Sequence, residues 1–235
     1  MTIEEFSNEF DVLLNSYNKG QITLNEYEKS IFLTQAQDTI VLTIYNGKNP
    51  LGDSFEKTEE VREYLRPLIK TVEISQQEQD VIGLSDMSYF YKLPSDLWFI
   101  TQESVDIDKN DCSVSTYLDV VPITQDNYHK LKNNPLRGVS NNRILRLDVG
   151  EHLVELISKF PIKLYRVRYL SEPEPIILTP LSYQSNINSN IGGIDLSIKG
   201  KSDINECKLN PVLHRNILEK AVALAIASRT NVTTK

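Results

Sequence analysis

The segment from Asn210 to Arg229 constrains this chain more than any other. Asn210 is a good helix N-cap and Pro211 suits the first helical position, so a helix starts there. On a helical wheel Leu213, Ile217, Leu218, Ala221, Leu224 and Ala225 share one apolar stripe, opposite Arg215, Asn216, Glu219 and Lys220. From Ala221 to Ala227 the polar face disappears. A helix that is apolar all round needs cover on every side, from its own chain or from another copy. The run is far below the roughly 20 residues that cross a bilayer, so a membrane is not the expected cover. The segment predicts assembly rather than catalysis, with Ala221, Leu224 and Ala225 as candidate interface residues.

The N-terminal third also reads as helical. Thr2 with Glu5, and Thr23 with Glu26, fit the capping-box pattern that satisfies backbone donors at a helix start. The first helix carries Phe6, Phe10, Leu13, Leu14 and Tyr17 and ends at Lys19-Gly20. The second runs from about Leu24 to Tyr45, with Tyr27, Ile31, Ala36, Ile40 and Ile44 among its apolar positions, and stops at Asn46-Gly47. The short turn between them predicts an αα-hairpin, and Phe6 and Ile31 join the candidate interface residues. A third helix, Thr58 to Leu65, is closed by Pro67.

The middle of the chain changes period. Leu97-Trp98-Phe99-Ile100, Thr116 to Val121, Arg143 to Asp148, Leu153 to Ile157 and Lys163 to Leu170 read as strands, with a short helix after Thr124. In the last of these strands Tyr165, Val167 and Tyr169 alternate with Arg166 and Arg168, the two-residue period of a half-buried strand. Arg beside tyrosines is a composition favoured at interfaces, so Arg166 and Arg168 are candidates too. Ile176-Ile177-Leu178, between prolines and a polar run, reads as an edge strand. Ser182 to Asn205, rich in Ser, Asn and Gly, reads as a long loop, as does 48–57.

The expected fold is therefore α+β: an N-terminal helical hairpin and the C-terminal helix form a small bundle, with a β-rich central region. The expected domains are a helical part over 1–66, a β-rich middle with long loops over 67–205, and a C-terminal helix and short tail over 206–235 that returns to the first helices.

Chemistry-bearing motifs are sparse. His129, His152 and His214 stand in no metal-binding spacing, and no nucleophile elbow or phosphate-binding loop is present. Cys112 and Cys207 are too few for a disulfide framework and point to a reducing compartment. The N-terminal Met1-Thr2-Ile3-Glu4-Glu5-Phe6 lacks an apolar signal-peptide core. The formal net charge is −7, without a block of Lys and Arg, which argues against a phosphate-gripping surface. Carboxylates such as Glu59-Glu60, Asp106, Asp108 and Asp195 suit a solvated surface, though a hydrolase would need two of them paired in space. No catalytic residue, cofactor or metal site is expected.

The order of segments resembles a family of virion structural proteins of crAss-like, short-tailed gut bacteriophages, the ring or adaptor proteins of the head-to-tail connector. The resemblance is carried by Asp11-Val12-Leu13-Leu14, by residues 24–37, by Phe55 to Leu65, and by Leu93-Pro94-Ser95-Asp96-Leu97-Trp98. It continues through Asn133-Asn134-Pro135-Leu136-Arg137-Gly138, Val167-Arg168-Tyr169-Leu170 and Leu209-Asn210-Pro211-Val212-Leu213-His214. It implies a closed homo-oligomeric ring, usually twelve-fold, placed in the virion neck between the portal protein and other tail proteins. DNA would pass through its channel without specific binding, as an acidic chain allows. It also implies synthesis in the host cytoplasm and no membrane partner. The competing readings are a soluble hydrolase with a carboxylate site and a monomeric protein-binding adaptor.

Overall fold

A computed structural model of the protein describes residues 1–18, 23–47, 59–78, 81–108, 116–132, 134–181 and 196–230. The chain forms two compact units, residues 1–68 with 173–235, and residues 69–172 inserted between them.

Seven strands make the inserted unit: β1 (Ile69–Ile74), β2 (Ser88–Lys92), β3 (Leu97–Ile107), β4 (Thr116–Ile123), β5 (Ile144–Gly150), β6 (Leu153–Ile157) and β7 (Ile162–Ser171). They form one sheet in the order β1-β7-β3-β4-β5-β6-β2. β4 is shared between two halves of the sheet. Its residues Thr116 to Asp119 pair antiparallel with β3, and Val120 to Ile123 pair parallel with β5. A parallel pair needs a crossover, and a helix between Gln125 and Leu131 provides it. The curled sheet brings its ends together: beyond β1, the Glu78 N–H donates to the Phe90 carbonyl of β2 at 2.9 Å.

Alternation along the strands fills the inside of the curl. Tyr91, Val105, Leu118, Ile144, Leu156, Tyr165 and Val167 form one buried cluster. Leu145 and Leu147, on the opposite face of β5, pack with Ile157 and with Tyr128 of the crossover helix. The β5–β6 turn places Glu151 and His152 at φ 50° and 61° after Gly150. Such a left-handed pair matches the twist of a tight hairpin. His152 is therefore a turn residue, and its carbonyl accepts from the Leu93 N–H at 2.7 Å.

The other unit holds α1 (Ile3–Asn18), α2 (Glu26–Tyr45), α3 (Glu59–Leu65) and, numbering the crossover helix as α4, α5 (Pro211–Thr230). The Thr2/Glu5 capping box forms, with Thr2 N–H to Glu5 Oε2 at 2.8 Å. The second box lies two residues beyond the expected one: Asn25 caps α2 and pairs reciprocally with Glu28. Pro67 falls in a single 3₁₀ turn, Arg66–Leu68, that follows α3.

The expected α+β fold with a small bundle of terminal helices is corrected by the structure. The described chain is a mixed α/β protein dominated by the seven-stranded curled sheet, with five helices. α5 lies along α2 and also touches α1, but α1 and α2 meet through few residues. Their meeting point is polar: the Lys29 ammonium lies 2.7 Å from Asp11 and 2.9 Å from Glu26, with Ser7 beside it. Burial alone would lower the Lys29 ammonium, but Asp11 and Glu26 outweigh it and raise its pKa.

A non-helical segment takes a flank of α2 that a bundle would give to a helix. Ser30 accepts from the Leu178 N–H at 3.0 Å, Thr34 accepts from the Ile176 N–H at 3.1 Å, and Gln37 donates to the Glu174 carbonyl at 2.7 Å. Ile176-Ile177-Leu178 is accordingly not a strand but a segment with one bridge, Ile177 to Asn205. The loop expectations for 48–57 and 182–195, and the readings of Cys112 and Asp195, lie outside the described residues.

Candidate assembly interface

The cover of α5 decides what its apolar end is available for. Leu213, Ile217, Leu218, Ala221, Val222 and Ala225 are buried within the unit that α5 belongs to. Leu224 and Ile226 are half-buried, and Ala223 and Ala227 are exposed. One stripe of the helix is thus satisfied by its own chain, while Ala223 and part of Leu224 remain exposed to solvent. Phe6 is buried beside the ring of His214, with centroids 5.3 Å apart. Ile31 is half-buried on α2.

His214 itself sits inside the packing. Its Nε2 donates to the Leu209 carbonyl at 3.0 Å, because a carbonyl only accepts, and Nδ1 then accepts from the Met1 nitrogen at 2.8 Å. Burial depresses its pKa, with the nearby N-terminal ammonium adding to the effect, so the ring is neutral. Cys207 is equally quiet: burial pushes its thiol up to about 11, and its Sγ donates to Gln37 Oε1 at 3.3 Å.

Arg166 and Arg168 occupy the outer face of β7, half-exposed, as the alternation requires. Arg166 is held in place: its Nε donates to Glu73 Oε1 at 2.9 Å, and its guanidinium lies over the Tyr117 ring at 5.2 Å. Gln102 and Thr71 flank Arg168 on the neighbouring strands. The result is an ordered polar face with both signs of charge.

Three features escaped sequence reading. Inside the curl, Arg146 Nη1 lies 2.8 Å from Glu103 Oε1, and the Tyr165 hydroxyl donates to the same carboxylate. All three side chains are buried. Burial and then Glu103 push the Tyr165 hydroxyl far up, and Arg146 is raised because Glu103 outweighs its desolvation. Strand parity is the signal: Glu103, Arg146 and Tyr165 lie in phase with Val105, Ile144 and Val167, all core residues.

The second feature is Glu155, buried on β6, which accepts from the Leu84 N–H at 2.8 Å and from the Ser88 hydroxyl. It ties down a loop whose Ile82 is 98% exposed. Gly83 is required there, because a Cβ would lie 2.5 Å from Ser88 and 2.8 Å from Glu155.

The third is a cleft of about 630 Å³ beside β4 and α4, lined by Val121, Ile123, Leu131, Lys130, Arg137 and Arg143 among others. Across the other unit, α1 leaves Val12 and Tyr17 exposed at 68% and 71%. Neither feature is catalytic in composition. Among the described residues no group of three or more His, Cys, Asp or Glu side chains is placed to hold a metal ion, and no helix is long and apolar enough to cross a membrane.

Comparison with known proteins gives this surface chemistry its context. The family model described as phage tail ring protein 3/4 matches residues 1–235. Ring protein 3 of Bacteroides phage crAss001 is 46% identical over 237 aligned residues, covering 99% of this chain and 98% of the relative. Ring protein 4/5 of the same phage is 35% identical over 236 residues, covering 97% and 93%. An apolar helix flank, ordered surface clusters and a match along the full length converge, and the chain belongs to the phage tail ring protein 3/4 family, structural ring proteins of crAss-like phages.

Proposed function

We propose that the protein assembles into a closed homo-oligomeric ring, twelve-fold, in the neck of the virion, where it joins the portal protein to the tail and surrounds the channel through which DNA leaves. The observation that carries this reading is the full-length similarity to two ring proteins of one phage. The half-buried Leu224 beside the exposed Ala223 on α5 is in keeping with it, as apolar surface that a protein neighbour would cover. The net charge of −7 suits a channel that must let DNA pass without holding it.

In this reading the helical parts, 1–66 and 206–235, meet neighbouring subunits or the portal, and 67–205 meets the next tail component while leaving part of its surface to the neighbouring copy. Leu224 and Ile31 contribute apolar contact, and Arg166 and Arg168 a polar one. Phe6, Ala221 and Ala225 hold the helices that present those contacts. The subunit is made in the host cytoplasm and needs no catalytic residue for this task. Head-to-tail repetition is the symmetry that closes a ring while leaving two unlike faces for two unlike partners. Imaging of purified particles and of the isolated protein tests it. A closed ring at the head–tail junction, with density continuous to the portal, is expected; absence of the chain from particles contradicts it.

A further inference from the structure

We propose that α1 of one copy docks in the cleft between β4 and α4 of the next copy, an inference that rests on the ring reading above. The cleft combines two chemistries. Val121, Ile123 and Leu131 give it an apolar wall, and Lys130, Arg137 and Arg143 give it a basic rim. Among the described residues none of these three cations is paired with a carboxylate. Arg143 is fixed in direction because its guanidinium donates to the Leu136 carbonyl. In a chain of net charge −7, three unpaired cations around one cleft call for an acidic occupant with an apolar component.

α1 has that composition. Its residues include Glu4, Glu5, Glu9 and Asp11 and no Lys or Arg. Phe6, Phe10 and Leu14 turn inward. Glu5, Glu9, Val12 and Ser16 recur on the opposite face at helical spacing, all exposed, and Tyr17 stands exposed at the C-terminal end. Asp11 is already engaged by Lys29 and Glu5 by the helix cap, which leaves Glu9, Val12 and Tyr17 to meet a partner. An amphipathic helix in a groove is a common recognition mode, with apolar anchors for affinity and rim charges for register.

The helix and the cleft belong to different units of one chain, so each copy carries one of each. The contact is therefore heterologous, and repetition propagates it from copy to copy. Duplex DNA is the less suitable occupant, because phosphate offers nothing to the apolar wall of Val121, Ile123 and Leu131.

A charge exchange between copies tests the contact. Two variants are made, E9K/S16K on the helix and K130E/R137E in the cleft, all at exposed positions, with unchanged thermal unfolding as the check on folding. Self-association is followed by light scattering and electron microscopy, in the presence of the other neck proteins if wild type needs them. Each variant alone should associate more weakly than wild type by roughly tenfold or more. Their equimolar mixture should regain assembly, with the two variants alternating, since the basic helix then meets the acidic cleft. Milder versions, V12S and K130Q/R137Q, should weaken association in the same direction.

Normal assembly of both variants while wild type forms rings would overturn this contact and leave the ring reading standing. Loss of duplex binding in K130E/R137E with assembly unchanged would make the cleft a DNA site and also overturn it. Wild type that associates under no condition would overturn the ring reading itself.

Discussion

Arg146 shows how a single side chain can define a core. Its partner Glu103 is buried with it, and Tyr165 donates to the same carboxylate. Removing one member of such a pair leaves an uncompensated charge, whereas replacing both with apolar residues of similar volume removes the desolvation cost as well. R146A should therefore lower stability by roughly 3–5 kcal/mol. The triple variant E103L/R146M/Y165F, which leaves no polar atom of the trio without a partner, should be close to wild type or above it. Denaturant unfolding of the three proteins checks this, and equal losses in both variants would contradict it.

His214 makes a second prediction at this scale. Its folded pKa lies below the ordinary 6.5 because burial disfavours the charged ring. The unfolded chain then takes up the proton first, so stability that is fully present above about pH 6.5 falls as the pH drops below it. Unfolding midpoints measured at about pH 7.5 and 5.5 should show that fall in wild type and a smaller one in H214Q. Glu174 acts in a lower window. Hydrogen bonds from Lys208 and then Lys201 hold its carboxyl down from 4.5 to about 2, so its contribution is full above about pH 4.5 and is lost progressively as the pH falls from there toward 2.

At the level of elements, α2 is the instructive case. Its buried face includes Lys29, Ser30, Thr34 and Gln37 as well as Leu33, Ala36, Val41 and Ile44. A search for apolar periodicity finds Tyr27, Ile31 and Ile40, which are only half-buried, and passes over the polar residues that face inward. Ser30 and Thr34 accept from backbone N–H groups of the extended segment after Pro173, Gln37 donates to its Glu174 carbonyl, and Lys29 pairs with Asp11 and Glu26 instead. S30A and T34V remove the acceptors for the Leu178 and Ile176 N–H groups, so each should cost about 1–3 kcal/mol.

Much of the rest was legible. The strands β3 to β7, α4, α3, the Thr2 cap, the Asn210 cap and the end of α2 at Asn46-Gly47 follow from local pattern and capping chemistry. β1 and β2 were not legible, because Ile69–Ile74 and Ser88–Lys92 become strands only through their pairing with β7 and β6. Neither was the Arg146–Glu103 pair, since a charged residue in a strand reads as solvent-facing until the parity of three strands is known. Of the candidate interface residues, the helical stripe was readable, but the division between self-cover and exposed surface required the packing of α5 on α2. That packing yields a further prediction. Ala225 is 1% exposed, so A225E buries a carboxylate and should abolish cooperative folding in thermal denaturation. A225E with normal unfolding would contradict the packing of α5.

For the whole molecule, the curled sheet and the helical unit read as two pieces of one ring subunit, each with its own core and its own exposed chemistry. The acidic balance, the half-buried Leu224 of α5 and the basic cleft in the sheet unit make sense together if copies meet head to tail. The most direct test is the mass of the purified protein, by native mass spectrometry with electron microscopy, alone and with the portal and tail proteins of its phage. Closed rings of a single copy number, formed by the chain itself or on its neighbours, are the expected result. A monomer at every concentration, with no affinity for any component of the particle, would contradict it.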